Sequence, residues 1–348
     1  MKTTALYGFS PDLATLAGMS PVEQVAWLQS LGSTAVFGGY EDRAFVEAAH
    51  AAGMPVYAEF GCFVGSEWWE RIPNSRPVTA AGMLLQPESW YYGVNPTVAA
   101  VREERLAALE RLLLDFAIDG VWLDFIRWPC QWGVPAPFLP RTSFDSVTLA
   151  LFRHDTGIAV STDDPVTASR TLLDRYEAEW TAWRCGQITS WVAAARAVVQ
   201  RVRPHAALGL FGVPWRLKER DGAILSVIGQ DYRALGAYVD VFSPMVYHRM
   251  CGQTPAWIAD VTEEVHALSG KPVWPIVQAV DDTAPLPAEE YGRALDAARH
   301  STASEGVLVF TLEAAIEGAK LHVTREKLGG PAAPKPRWPV GGGMDSSS

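Results

Sequence analysis

The stretch DGVWLDFIRWP, Asp119–Pro129, decides the reading of the chain. Its run GVWL is apolar at successive positions, the pattern of a parallel strand buried on both faces. A carboxylate directly after such a run, Asp124, has to emerge at the wet end of the strand, because an unpaired charge inside would be prohibitively costly. Asp119 opens the strand and reads as structural. Arg127, three residues beyond Asp124, offers a counter-ion, so the same residues read either as a functional carboxylate or as a structural ion pair.

Working outward, seven more short apolar runs alternate with helical patterns: ALYGF (5–9), AVFGGY (35–40), PVYAEFG (55–61), ALGLFGV (207–213), VDVFSPMVY (239–247), PVWPIVQAV (272–280) and GVLVFTLEA (306–314). With GVWLDFI (120–126) they make eight, the closing number of a (β/α)8 TIM barrel, so the expected class is α/β, in a single domain. Ser20 with Pro21 and Glu23 forms a capping box before one helix, and Gly32 ends it. Asn95 with Pro96 is expected to start another. Two long loops, 62–94 after the third strand and 128–170 after the fourth, should wall a cleft at the catalytic face. The barrel domain is placed at 1–328, and the Pro/Gly/Ser-rich tail 329–348 is expected to be disordered.

The formal net charge is −10 with no basic run, which argues against a nucleic-acid partner. No apolar stretch suffices to span a bilayer and no signal peptide is evident, so no membrane partner and a cytoplasmic location are expected, unless a leader has been trimmed. The cysteines Cys62, Cys130, Cys185 and Cys251 lack paired spacing, and neither a metal nor a cofactor is expected. Dinucleotide, P-loop and esterase motifs are missing. Fourteen tryptophans are the one anomaly, and their flat apolar faces suit stacking on sugar rings.

Strand ends converge in a barrel, so the expected site gathers Tyr40, Glu41, Asp42, Glu59, Asp124, Arg127, Trp215, Tyr247, His248, Gln278, Asp281, Asp282 and Glu313. Asp124 is the leading carboxylate for an oxocarbenium-like transition state, and a second acid must protonate the leaving oxygen. Glu59, between Tyr57 and Phe60 on the neighbouring strand, is the best donor, since apolar neighbours raise its pKa. Glu313 is its rival. Substrate contacts are expected from Tyr40, Trp69, Trp90, Arg127, Trp128, Trp215, Tyr247, His248 and Gln278, with some tryptophans, among them Trp132, divided between loops and core.

Three segments, DGVWLDFIRWP (119–129), VDVFSPMVYH (239–248) and KPVWPIVQA (271–279), resemble signature strands of the bacterial glycoside-hydrolase-like TIM-barrel proteins of the family-10-like and family-13-like type. VNPTVAAVREERLAALERLL (94–113) and SFDSVTLALFRHDTGI (143–158) resemble their flanking segments. The resemblance implies a (β/α)8 barrel, hydrolysis of an oligo- or polysaccharide, and Asp124 as the fourth-strand acid. Against the chitinase pattern DGxDxDxE, Asp119 and Asp124 match, but Trp122 replaces the middle acid and Ile126 the final Glu, so that mechanism does not transfer. A non-catalytic glycan-binding barrel is the main alternative. A metal-dependent hydrolase built on Cys62, Cys130, Cys251 and His248 is a weaker one.

Overall fold

The computed structural model describes residues 2–282 and 284–330. Its strands are β1 (Thr3–Phe9), β2 (Ala35–Gly38), β3 (Val56–Gly61), β4 (Gly120–Asp124), β5 (Ala207–Gly212), β6 (Val241–Pro244), β7 (Ile276–Gln278) and β8 (Gly306–Phe310). All pair in parallel in the order β6-β5-β4-β3-β2-β1-β8-β7. Parallel bridges from Phe242 to Val273 and from Met245 to Ile276 close the seam between β6 and β7. This is the (β/α)8 barrel that the eight apolar runs predict.

Local chemistry sets the boundaries. The helix Pro21–Ser30 begins at the capping box of Ser20 and Glu23, as expected, and Gly32 follows it in the left-handed region at φ 86°. Asn95 does not cap a helix. Its side chain instead holds Thr97, Asp145 and Thr148 in a buried polar knot, and the helix starts later, at Ala99–Asp115. The last strand is shorter than expected because Thr311 caps a new helix, Leu312–Glu317, by accepting from the Ala314 amide.

The two long loops face each other. Val78 bridges to Leu84 within the first, and Thr79 bridges to Thr142 of the second, so each loop pins the other above the barrel. The second loop continues through helices Ser146–Thr156 and Pro165–Arg175 into the crossover helix Glu177–Val202. At the foot, Asp119 accepts from the Val56 amide at 2.7 Å and lies 2.9 Å from His50, the structural role its position implies. No helix among the described residues is long and apolar enough to cross a membrane. The expected tail lies, beyond Gly330, outside the described residues.

Side chains alternate along a strand, so Tyr57 and Glu59 share one face of β3, and Trp122 and Asp124 one face of β4. That face is the barrel interior. Trp122 contacts Tyr57, Phe37 and Trp274 at ring separations of 4.7, 4.9 and 5.4 Å, and its indole N–H donates to Ser243 Oγ at 3.0 Å. The stack rises through Phe37 and Phe211 to Tyr7 and Phe310. An indole fits this floor only because β5 carries Gly209, where an added Cβ would lie 2.0 Å from a Trp122 ring atom. A hydrogen-bonded, fully buried ring has nowhere to retreat. Gly209→Ala is therefore expected to lower stability by about 1–3 kcal/mol or more, as overpacking does, measured as a reduced urea midpoint. An unchanged midpoint would show that the floor can rearrange.

Candidate active site

Strands β3 and β4 are hydrogen-bonded neighbours with Glu59 beside Trp122 and Gly61 beside Asp124. Both acids project inward at the mouth, one pleat above the aromatic floor. Directly after Asp124 the chain turns sharply, with Phe125 in the left-handed region at φ 51°. This conformation is unfavourable for a bulky residue and costs on the order of 1–3 kcal/mol. The turn lets the Phe125 amide donate to Asp124 Oδ1 at 2.6 Å. It also folds Arg127 back until Nη1 stands 3.6 Å from the same oxygen.

The two carboxyl groups act directly on each other: each is among the groups that shift the other's pKa. Burial, with the charge of Asp124 adding to it, pushes Glu59 up to about 7. Burial also pushes Asp124 up, but Arg127, the Phe125 amide and the Glu59 hydroxyl all pull it back toward ionisation. The pair thus holds one proton near neutrality, on Glu59, for the reason that two touching carboxylates cannot both ionise. Across the mouth, the Tyr7 hydroxyl of β1 donates to Glu59 Oε2. Burial and the neighbouring Glu59 drive the Tyr7 hydroxyl far above its usual range, so it stays protonated and remains a donor.

Asp124 opens onto a cavity of about 190 Å³ walled by Trp90, Tyr91, Phe125, Trp132, Tyr247 and Phe310, with Arg127 in its lining. Tyr247 stacks between Phe310 and Trp132 at 4.7 and 5.7 Å. Trp90 stands 67% exposed at the rim, edge-on to Phe125. Arg127 is 4% exposed, lies over the Phe125 ring at 4.7 Å, and has no hydrogen-bond partner for Nε or Nη1. Larger hollows exist at the foot of the barrel, about 690 Å³, and along helix Glu177–Val202, about 1110 Å³, but neither contains a strand-end acid.

Of the expected site residues, the structure thus gathers Asp124, Glu59, Arg127, Trp90 and Tyr247. Tyr40 is half-buried beside a separate hollow at the ends of β1 and β2, yet near enough to Glu59 to feel its charge. Asp42 caps the next helix, and Asp281 pairs with Lys320 at 2.8 Å. Glu313 is not a strand-end residue. It sits exposed in the first turn of helix Leu312–Glu317.

Five expected substrate contacts are engaged elsewhere. Trp128 is fully buried, donating to the Arg184 carbonyl under that residue's guanidinium. Trp215 is buried beside Arg220 at a different small cavity. Trp69 donates to the Gly93 carbonyl and lies under Arg76, bracing the first loop. His248 is buried against Glu290 at 3.1 Å, with its pKa lowered mainly by burial. Gln278 is also buried, and it ties Val280 to the Met250 amide. The four cysteines are free and buried, and among the described residues no group of three or more His, Cys, Asp or Glu could hold a metal.

Tyr7 is not among the residues expected from the sequence, although its inward position in ALYGF and its polar tip on a buried ring were the available signal. Phe125, Tyr91 and Phe310 were not expected as cavity walls either, because nothing in the sequence distinguishes a wall from a core aromatic.

A raised Glu59 has a consequence for stability. Between its ordinary value, 4.5, and about 7 the folded chain holds a proton that the unfolded chain has released, so stability falls as pH rises through that window. Urea titrations from pH 4 to pH 8 should show the fall in the wild type, by up to about 3 kcal/mol from this residue at about 1.4 kcal/mol per pKa unit. In Glu59→Gln the same window should flatten, whereas equal slopes in the two proteins would remove the raised pKa.

Neither protein-family models nor curated protein sequences give a match to this chain. Solved structures do. The glycoside hydrolase domain of PgaB (BpsB) from Bordetella bronchiseptica superimposes with a TM-score of 0.68 at 13% identity, covering 94% of this chain and 99% of that one. The β-galactosidases of Marinomonas ef1 and Halorubrum lacusprofundi each give 0.64 at 12% identity. They cover 89% and 94% of this chain, but the match spans only 54% and 57% of their own length. At these identities the likeness is one of fold: this chain is built as the barrels of known glycoside hydrolases are.

Proposed function

We propose that the chain is a glycoside hydrolase acting on an oligo- or polysaccharide, with Glu59 as proton donor and Asp124 as the carboxylate that stabilises developing positive charge. The observation that supports this most is the single-proton pair of Glu59 and Asp124 beside an aromatic-walled cavity. Glu59 is an acid poised near neutrality, which is where a general acid works best. Asp124, kept anionic by Arg127, faces the cavity where an oxocarbenium-like centre would form. A sugar ring seated there would pack against Phe125, and the exposed face of Trp90 would receive the next unit. The glycosidases among the structural neighbours support a carbohydrate substrate. The strand motifs favour the family-10-like or family-13-like type.

In this reading the Glu59 proton passes to the glycosidic oxygen as the carbon–oxygen bond breaks. Water then adds to the sugar and returns a proton to Glu59. The close pair bears on the rest of the mechanism. Catalytic carboxyls stand about 5–5.5 Å apart in retaining enzymes and about 6.5–9.5 Å apart in inverting ones. Two acids that share one proton stand closer than either, so in this reading Glu59 and Asp124 act as one unit on one side of the bond rather than flanking it. That same closeness favours a second reading, a glycan-binding barrel without turnover.

Reducing-end release from a panel of glycans separates the two. The hydrolase reading expects turnover whose kcat/KM falls as pH rises through about 7, because the donor loses its proton. It also expects Glu59→Gln and Asp124→Asn to lower the rate about 10²–10⁴-fold, the range of general acid catalysis. Glycan binding by calorimetry with no released ends would establish the second reading instead.

A further inference from the structure

We infer that Tyr7 is the positioning residue of the acid pair: its hydroxyl, donated to Glu59 Oε2, reserves that oxygen as an acceptor and directs the Glu59 proton toward Asp124. The inference rests on the hydrolase reading for its catalytic meaning, but its geometry stands apart from it. A carboxylic acid has two oxygens and one proton, and nothing internal to the group decides which oxygen holds it. An outside donor does decide. An oxygen that accepts from Tyr7 serves as the carbonyl oxygen, and the proton lies on the other one, free to be shared with Asp124, the acid that acts on Glu59.

Tyr7 is built to hold that donor still. It projects inward from β1, across the mouth from β3, and its ring meets Phe310 at 5.2 Å, Phe211 at 5.8 Å and Phe37 at 6.2 Å. Contact from three strands fixes the ring while its hydroxyl bonds Glu59. The other titratable groups that act on Glu59 or feel its charge are Asp124 on β4, Tyr40 after β2, Tyr247 after β6 and Cys62 after β3. Of these, Tyr40, Tyr247 and Cys62 make no hydrogen bond to Glu59. Tyr7 is thus the neutral donor that selects between its oxygens.

Tyr7→Phe tests this, since it keeps the ring and deletes one hydroxyl. Carbon-13 NMR titration of the Glu59 carboxyl reads the result without any substrate. Removing a donor that favours the charged form should move the midpoint up by about one unit. Phe211→Leu, which loosens the packing but leaves the hydroxyl, should leave it in place. In hydrolysis assays the alkaline limb of Tyr7→Phe should shift upward with the midpoint, with the plateau rate down about tenfold, the equivalent of one pKa unit, and KM unchanged.

An unmoved midpoint in Tyr7→Phe, or an equal movement in Phe211→Leu, would reduce Tyr7 to a packing residue and overturn the inference. If Tyr7→Phe does not fold, the wild type still decides: a slowly exchanging Tyr7 hydroxyl proton should be visible and should vanish in Glu59→Ala, and its absence from the wild type overturns the inference. A moved midpoint in a chain that hydrolyses no glycan would support the hydrogen bond while removing the hydrolase reading.

Discussion

Two carboxyl groups that touch each other inside a protein mouth cannot both be charged, and much of this site can be understood as an answer to that constraint. The pair arises from topology, because β3 and β4 are adjacent and each turns an acid inward at its end. Once together, the acids need one proton between them and a reason for it to sit on one side. Arg127 and the Phe125 amide supply the reason by favouring charge on Asp124. The left-handed turn at Phe125 is the structural cost of bringing the amide and the guanidinium charge to one oxygen.

The abundance of tryptophan has a different cause from the one its chemistry first implies. Trp122, Trp128, Trp180 and Trp191 are among the largest fully buried side chains, and Trp183 and Trp215 are buried as well. Together with Tyr57, Phe37 and Phe211, Trp122 and Trp274 fill the barrel and support the acids from below. Trp90 and Trp132 are the two that line the cavity beside Asp124. Composition alone therefore points toward sugar stacking for the wrong majority of residues, even though the cavity itself is aromatic.

The strands were legible because parallel strands buried on both faces read as continuous apolar runs, and all eight lie where such runs occur. Their ends were less so. Thr311 looks like the interior of a strand until its side chain caps a helix, and that single bond moves Glu313 out of the mouth. Asp124 and Glu59 could be placed because each ends an apolar run on neighbouring strands. His248 and Gln278 also follow apolar runs, but the turn after β6 and the shortness of β7 bury them in contacts with Glu290 and with Val280 and Met250. Tyr7 was hidden for the opposite reason: a tyrosine in an apolar run reads as core, and only its partner two strands on, Glu59, reveals the hydroxyl's use.

The account rests on one proton held between Glu59 and Asp124. Neutron diffraction from a perdeuterated crystal near pH 6 would locate it. The expected map has the two carboxyls about 2.5–2.7 Å apart, as charge-assisted O–H···O⁻ bonds are, with a single deuterium on Glu59 and none on Asp124. Carboxyls separated by the roughly 5 Å or more of a flanking catalytic pair, or a deuterium bound to Asp124 instead, would contradict it.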